Sequence, residues 1–565
     1  MAMPRWDGLV PKDAPDEVKA RVVTDPRVPA FDATLGIEVS PGGQGQPPHR
    51  LVVIGDSLSH GFQSGAVFNT DLSYAAIIAH ELGWTDGFRF PRYPGHGGLP
   101  LNIELLLRDL ETRFGAAVDP WEVPLALFRA RQLMDEMEDY WERGAGREAP
   151  RVSAINHALA VYGWDLRDAL SRTAAFSQSI LADPKAQPRD DLVLQVVEQN
   201  SERAALRVYP HWSPETEDMT LFDAARALGE EKDRGTDAGI ETLVVFLGAN
   251  NALRAVTDLR VDWSGEHFAD LRNKGAYTVW RPEHFRTELA HVVDAVQNIG
   301  ARHVIWCTVP HVTIAPIARG VGGKLRPGSR YYPYYTRPWV DQTTFNPDQD
   351  RHITGMQARA VDTAIDLYND AIQQVVQQAR SGADEKPRDW YLLDVAGLLD
   401  RLASRRFIED ANARPTWWTP YPLPPPLKAL SPEPDSRFLT GDGNGGRATG
   451  GLFSLDGVHP TTVGYGLIAQ EMINIMHRAG VQFRHPNGTT RTDPITVDFD
   501  RLVRRDTLLR TPPQNLAPGL RMLGWADETL DWVKRTLTFS GASSVDGQTS
   551  RTPSGHIQHS TGGRS

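Results

Sequence analysis

The chain has a single cysteine among its 565 residues, Cys307, so no disulfide can close within it and the fold does not rely on oxidation. Long apolar runs are also missing. None reaches the roughly 18–20 residues that a membrane-spanning helix needs, and the opening MAMPRWDGLVPKDAPDEVKA holds no apolar stretch fit for a signal peptide. Nor is there an excess of basic residues. The formal net charge is -11, spread along the chain, which speaks against a broad nucleic-acid-binding face. The resulting expectation is a soluble, cytoplasmic protein with no nucleic-acid partner and no transmembrane segment; the oligomeric state is left open.

Several chemical signatures are absent as well. There is no His-Glu-x-x-His and no cluster of Cys and His, so none of the 17 histidines is singled out as a metal ligand. GGKLRPGS, near residue 322, lacks the spacing of a phosphate-binding loop. No Gly-x-Ser-x-Gly occurs, which excludes the sharp nucleophile turn of α/β-hydrolases. No metal and no cofactor are expected.

What is present is an alternation of short apolar runs with amphipathic stretches. RLVVIGDS (50–57), TLVVFLGAN (242–250), HVIWCTVP (303–310) and DWYLLDVAG (389–397) read as buried strands, and NHALAV (156–161) as a weaker one. SYAAIIAHELG (73–83), with Ser73 as N-cap, has helical spacing. So do residues 285–300, 356–379 and 461–480. Strands alternating with helices predict an α/β fold with a parallel sheet covered on both faces. Residues 1–50 read as an irregular extension. Large helical and loop insertions are expected at about 92–150, where WEVPLALFRARQLMDEMEDYWERG is the clearest helix, and at 171–238. Residues 481–540 read as a C-terminal appendage, and 541–565, polar and small, as a disordered tail.

Four segments carry possible chemistry. GDSLSHGF places Ser57 just past a buried strand, where open α/β folds put their sites; by itself Gly-Asp-Ser is equally plain turn chemistry. In DGVHPTTVGY, Asp456 and His459 stand three apart before a helix, close enough for a carboxylate to fix an imidazole that serves a serine; a helix-start turn explains the same residues. LGANNAL ends the best strand and offers the amide of Asn250 as a donor to a developing oxyanion, or a strand-to-loop turn. In NHALAVYGWDLRDAL, Gly163 lets a backbone N–H approach a ligand or simply lets helix and strand pack.

Taken together and in this order, the four segments resemble the SGNH hydrolases, the GDSL-type esterases and lipases. The resemblance covers about residues 50–480. Ser57, Gly163, Asn250 and the pair Asp456 and His459 fall in that family's four blocks. One departure falls on Asn251, where the family often has Asp, and leaves Asn250 itself in place. The resemblance implies a flavodoxin-like three-layer α/β/α sandwich and a serine esterase acting on carboxylic esters. Its catalytic residues would be Ser57, His459 and Asp456, with an oxyanion hole made by the N–H groups of Ser57 and Gly163 and the side chain of Asn250.

Two aromatic, proline-rich loops follow the last two strands: SRYYPYYTRPWVDQTTFNP (329–347) and RPTWWTPYPLPPPLKALSPEP (414–434). Tyr334, Trp339, Trp417 and Trp418 are therefore expected to wall the substrate pocket, binding an acyl chain or a sugar ring; packing on the inserted helices or on another subunit is the alternative. Acyl or lipid-like esters, carbohydrate O-acetyl esters, and a non-catalytic scaffold of the same fold stay open as functions.

Overall fold

The computed structural model describes residues 11–516 and 519, apart from 23–25, 41, 42, 44, 120, 184–195, 384, 385, 486 and 493. Its centre is a five-stranded sheet: β1 (His49–Gly55), β2 (Ala158–Ala160), β3 (Ile240–Phe246), β4 (Ala301–Cys307) and β5 (Trp390–Leu393). All the pairings are parallel and the spatial order is β2-β1-β3-β4-β5. Every residue of β1 and β3 is buried, which is why the stretches 51–54 and 243–246 within them read as unbroken apolar runs rather than alternating ones.

The connections carry α1 (Tyr74–Glu81), α2 (Leu221–Glu230), α3 (Pro282–Gln297) and α4 (Gly355–Ser381). Beyond β5 come α5 (Val395–Leu402) and α6 (Thr462–Arg478). Their ends follow local chemistry. The hydroxyl of Ser73 accepts from Ala76 N–H at the start of α1, Thr354 and Gln357 form a capping box on α4, and Gly382 closes α4 in the left-handed region. The helices form two groups. In one, α6 packs on α1; in the other, α3 packs on α4. Members of both groups touch the sheet, an arrangement compatible with a three-layer α/β/α fold. Among the described residues no helix is long and apolar enough to cross a membrane.

Two of the expected segments need correction. The 1–50 extension is not wholly irregular: Asp16–Arg21 is helical and packs on α4, and Leu392 N–H of edge strand β5 donates to Ala33 O at 2.9 Å. The extension thus supplies a partner for a strand edge that would otherwise be bare. Residues 481–516 are not an appendage: Phe483, Val497, Phe499 and Leu502 are buried in the main core. The inserted segment 92–150 does form helices, Ile103–Phe114 and Val123–Glu142, and with Phe62, Tyr162, Leu455 and Leu516 these build a second core. The tail 541–565 lies outside the described residues.

Candidate active site

In a doubly wound sheet of order 2-1-3-4-5 the strand order reverses between the first and third strands, and ligands bind outside the carboxyl ends there. Gly55, the last residue of β1, is paired with Ala160 of β2 and Phe246 of β3. Ser57 follows Gly55, Gly163 follows Ala160 and Asn250 follows Phe246, so all three leave the same edge on neighbouring strands. Ser57 opens a single helical turn, Ser57–His60, capped by Asp56, whose carboxylate accepts from Leu58 N–H at 3.0 Å.

His459 arrives from 402 residues away, with Nε2 2.8 Å from Ser57 Oγ. Its Nδ1 lies 3.1 Å from Asp456 Oδ2. The turn Asp456–His459 folds onto its own carboxylate: Oδ1 accepts from the N–H groups of Val458 and His459, both at 2.8 Å. Oδ2 accepts a further bond from Gly65 N–H at 3.1 Å. Burial pushes the Asp456 carboxyl up, but His459 and these N–H donors outweigh it and hold the pKa below the ordinary value. The Phe62 ring packs on the His459 ring, centroids 4.6 Å apart.

A hairpin that was not anticipated holds this arrangement. Phe62–Gln63 pairs antiparallel with Ala66–Val67 across a two-residue turn, Ser64–Gly65, with φ of +49° and +83°. Positive φ at both central residues is what a type I′ turn requires. The tip grips the loop of the acid: Ser64 N–H donates to Ser454 Oγ at 2.9 Å, and Leu455 N–H donates to Ser64 Oγ at 3.3 Å. Tyr465 on α6 adds a hydroxyl bond to Phe62 O at 2.8 Å. Ser-Gly is a turn signal in the sequence, but strands of two residues carry no period to flank it.

On the other side of Ser57, Gly163 sits at φ +77°, a conformation that favours glycine. Its carbonyl accepts from Lys274 Nζ at 3.0 Å. Lys274 also pairs with Asp168, which pairs with Arg172 at 2.7 Å. The Asn250 amide nitrogen donates to Trp164 O at 2.9 Å, tying the loop after β3 to the loop after β2. That bond uses one of its two hydrogens. Asn251, next in the chain, is fully buried and neither its Oδ1 nor its Nδ2 has a hydrogen-bond partner.

Beside Ser57 and His459 opens a pocket; the empty space in it and in the open solvent at its mouth together comes to about 870 Å³. None of the four expected aromatic residues is in its lining. The long loops have local structure of their own, and their rings fill it. Trp418 packs with Phe407 and donates Nε1–H to Asp400 O at 2.8 Å. Trp417 lies against Phe31, Tyr334 sits among Phe345 and His352, and Trp339 packs against the edges of the two main cores. Among the described residues no group of three or more His, Cys, Asp or Glu is placed to hold a metal ion.

Comparison with protein-family models, with curated proteins and with solved structures gave no match.

Proposed function

We propose that the protein is a serine hydrolase of carboxylic esters, of the SGNH kind, with a flavodoxin-like three-layer sandwich as its frame. The observation that carries the reading is one line of contacts, Ser57 Oγ to His459 Nε2 at 2.8 Å and His459 Nδ1 to Asp456 Oδ2 at 3.1 Å. In this reading His459 takes the Ser57 proton as Oγ attacks the ester carbonyl, then gives it to the departing alcohol. Asp456 keeps the imidazole in the tautomer that accepts at Nε2 and stabilises the imidazolium. Water, deprotonated by His459, then hydrolyses the acyl-enzyme. The second amide hydrogen of Asn250 and the N–H groups of Ser57 and Gly163 are assigned to the oxyanion, whose charge appears only in the transition state.

A non-catalytic scaffold would have no need of a buried serine, imidazole and carboxylate in mutual contact. The test is covalent. A fluorophosphonate should label the wild type at Ser57, and Ser57→Ala should abolish both labelling and ester turnover. A folded wild type that takes no label and turns over no ester would leave the scaffold as the better account.

A further inference from the structure

We infer that the pocket beside Ser57 is a subsite for a straight aliphatic chain carried by the ester, and that the inner face of α5 sets the chain length accepted. This rests on the proposed hydrolase reading and deepens it.

The argument starts with what lines the space. Leu253 comes from the loop after β3, Val312 from the loop after β4, Leu398 and Leu402 from α5, and Leu467 and Ile468 from α6. These are branched aliphatic side chains on two helices and two loop ends, with Ser57 and His459 among them. A chain attached to an ester carbonyl at Ser57 therefore has an apolar path leading away from the reacting atom.

Polar recognition has little to work with here. His311 is the other ionisable residue in the lining: its Nε2 hydrogen-bonds Asp366 Oδ1 at 3.0 Å, while Nδ1 makes no hydrogen bond and lies 3.5 Å from the Asp400 carboxylate. Burial works against its protonation, yet Asp400 and Asp366 prevail and raise its pKa to about 10. The ring thus belongs to an ion cluster with Asp366 and Asp400 and, His459 aside, it is the one charged group beside the aliphatic wall. A sugar ring would bury hydroxyls without partners, and Phe453 is the one Phe, Tyr or Trp in the lining on which it could stack. The aromatic residues expected to stack a sugar lie elsewhere.

The chain could belong to the acid or to the alcohol, and the experiment separates the two. The full-length protein is assayed with p-nitrophenyl esters from acetate to decanoate. A second arm uses acetates of alcohols from ethanol to decanol, and all substrates are kept below their micellar limits. We expect kcat/KM to climb with chain length in one arm, by about fourfold for each fully buried methylene. The arm that climbs names the source of the chain. Leu402→Trp, which fills the space, and Leu399→Asp, which places a charge in the lining from the same helix, should each cut the ten-carbon to four-carbon ratio at least tenfold, with circular dichroism to establish that they fold. Hydrolysis of short esters with flat profiles in both arms would overturn the subsite and leave the hydrolase reading standing. A ratio unmoved by either folded variant would overturn the role of α5. Absence of Ser57 labelling together with absence of any ester turnover would instead sink the hydrolase reading, and the subsite with it.

Discussion

Asp56 stands next to the nucleophile and has no proton-transfer role in the reading above, yet its surroundings are unusual. One carboxylate oxygen caps the Ser57–His60 turn and the other is buried without a partner. Burial raises its pKa from 3.8 to about 7, against the pull of Leu58 N–H and His459. The sign of the effect on stability follows from linkage. With the folded pKa above the unfolded one, folding takes up a proton between about pH 4 and 7. Stability is therefore greatest at the acid end of that window, falls as pH rises through it and levels off above 7. The slope from one proton is at most about 1.4 kcal/mol per pH unit. Asp56→Asn keeps an oxygen to cap the turn and has nothing to ionise. Its urea midpoint relative to wild type should rise steadily from pH 5 to 7 and then stop rising. A difference that stays constant across the range would show that the Asp56 carboxyl does not titrate in this window.

The elements nearest the chemistry are short, and their value lies in whom they hold. The Phe62–Val67 hairpin places two backbone donors and one hydroxyl against the loop of Asp456, joining residues 390 positions apart. Gly65→Ala tests this. The left-handed conformation costs a residue with a Cβ about 1–2 kcal/mol, and that Cβ would lie 2.5 Å from Leu101 O, so the tip must move. We expect a lowered melting temperature, and a kcat reduced at least tenfold with KM little changed, because Asp456 loses a donor that orients it. Loss of stability with kcat intact would make the hairpin a purely structural clasp. The same hairpin shows where sequence reading stops. The long strands, the helices and the residues of the Ser57–His459–Asp456 line each carried a period or a spacing of their own. The hairpin was too short to have one, and the pocket wall has no motif because Leu398, Leu402, Leu467 and Ile468 are ordinary core-facing positions of amphipathic helices. The aromatic loops misled for a related reason. Tyr and Trp pack wherever a long loop needs a local core, and here those cores lie away from Ser57.

At the scale of the whole molecule, the sheet edge alone does not complete the site. His459 reaches Ser57 because α6 packs on α1 and β5, and α6 is in turn covered by the segment that follows it. Within that segment Arg491 pairs with Glu81 at 2.6 Å, Asp498 N–H donates to the same carboxylate at 3.0 Å, and Phe499 and Leu502 pack over Gly466 of α6. Leu508 and Leu516 continue into the second core. The strand-helix alternation ends near residue 480, and nothing in its period marks the next stretch as part of the fold. Each buried Phe, Leu, Ile or Val in it contributes about 1.5–3 kcal/mol. Several such residues together approach the whole net stability of a domain, about 5–15 kcal/mol. A chain ended after Gly480 should therefore fail to give a cooperative melting transition, and a chain ended after Gly519 should keep one. The measurement is thermal unfolding of both forms followed by fluorophosphonate labelling of Ser57. A form ended at 480 that melts cooperatively and labels like the full chain would return residues 481–516 to the status of an appendage, and would mean that the cover over α6 is not needed to bring His459 to the serine.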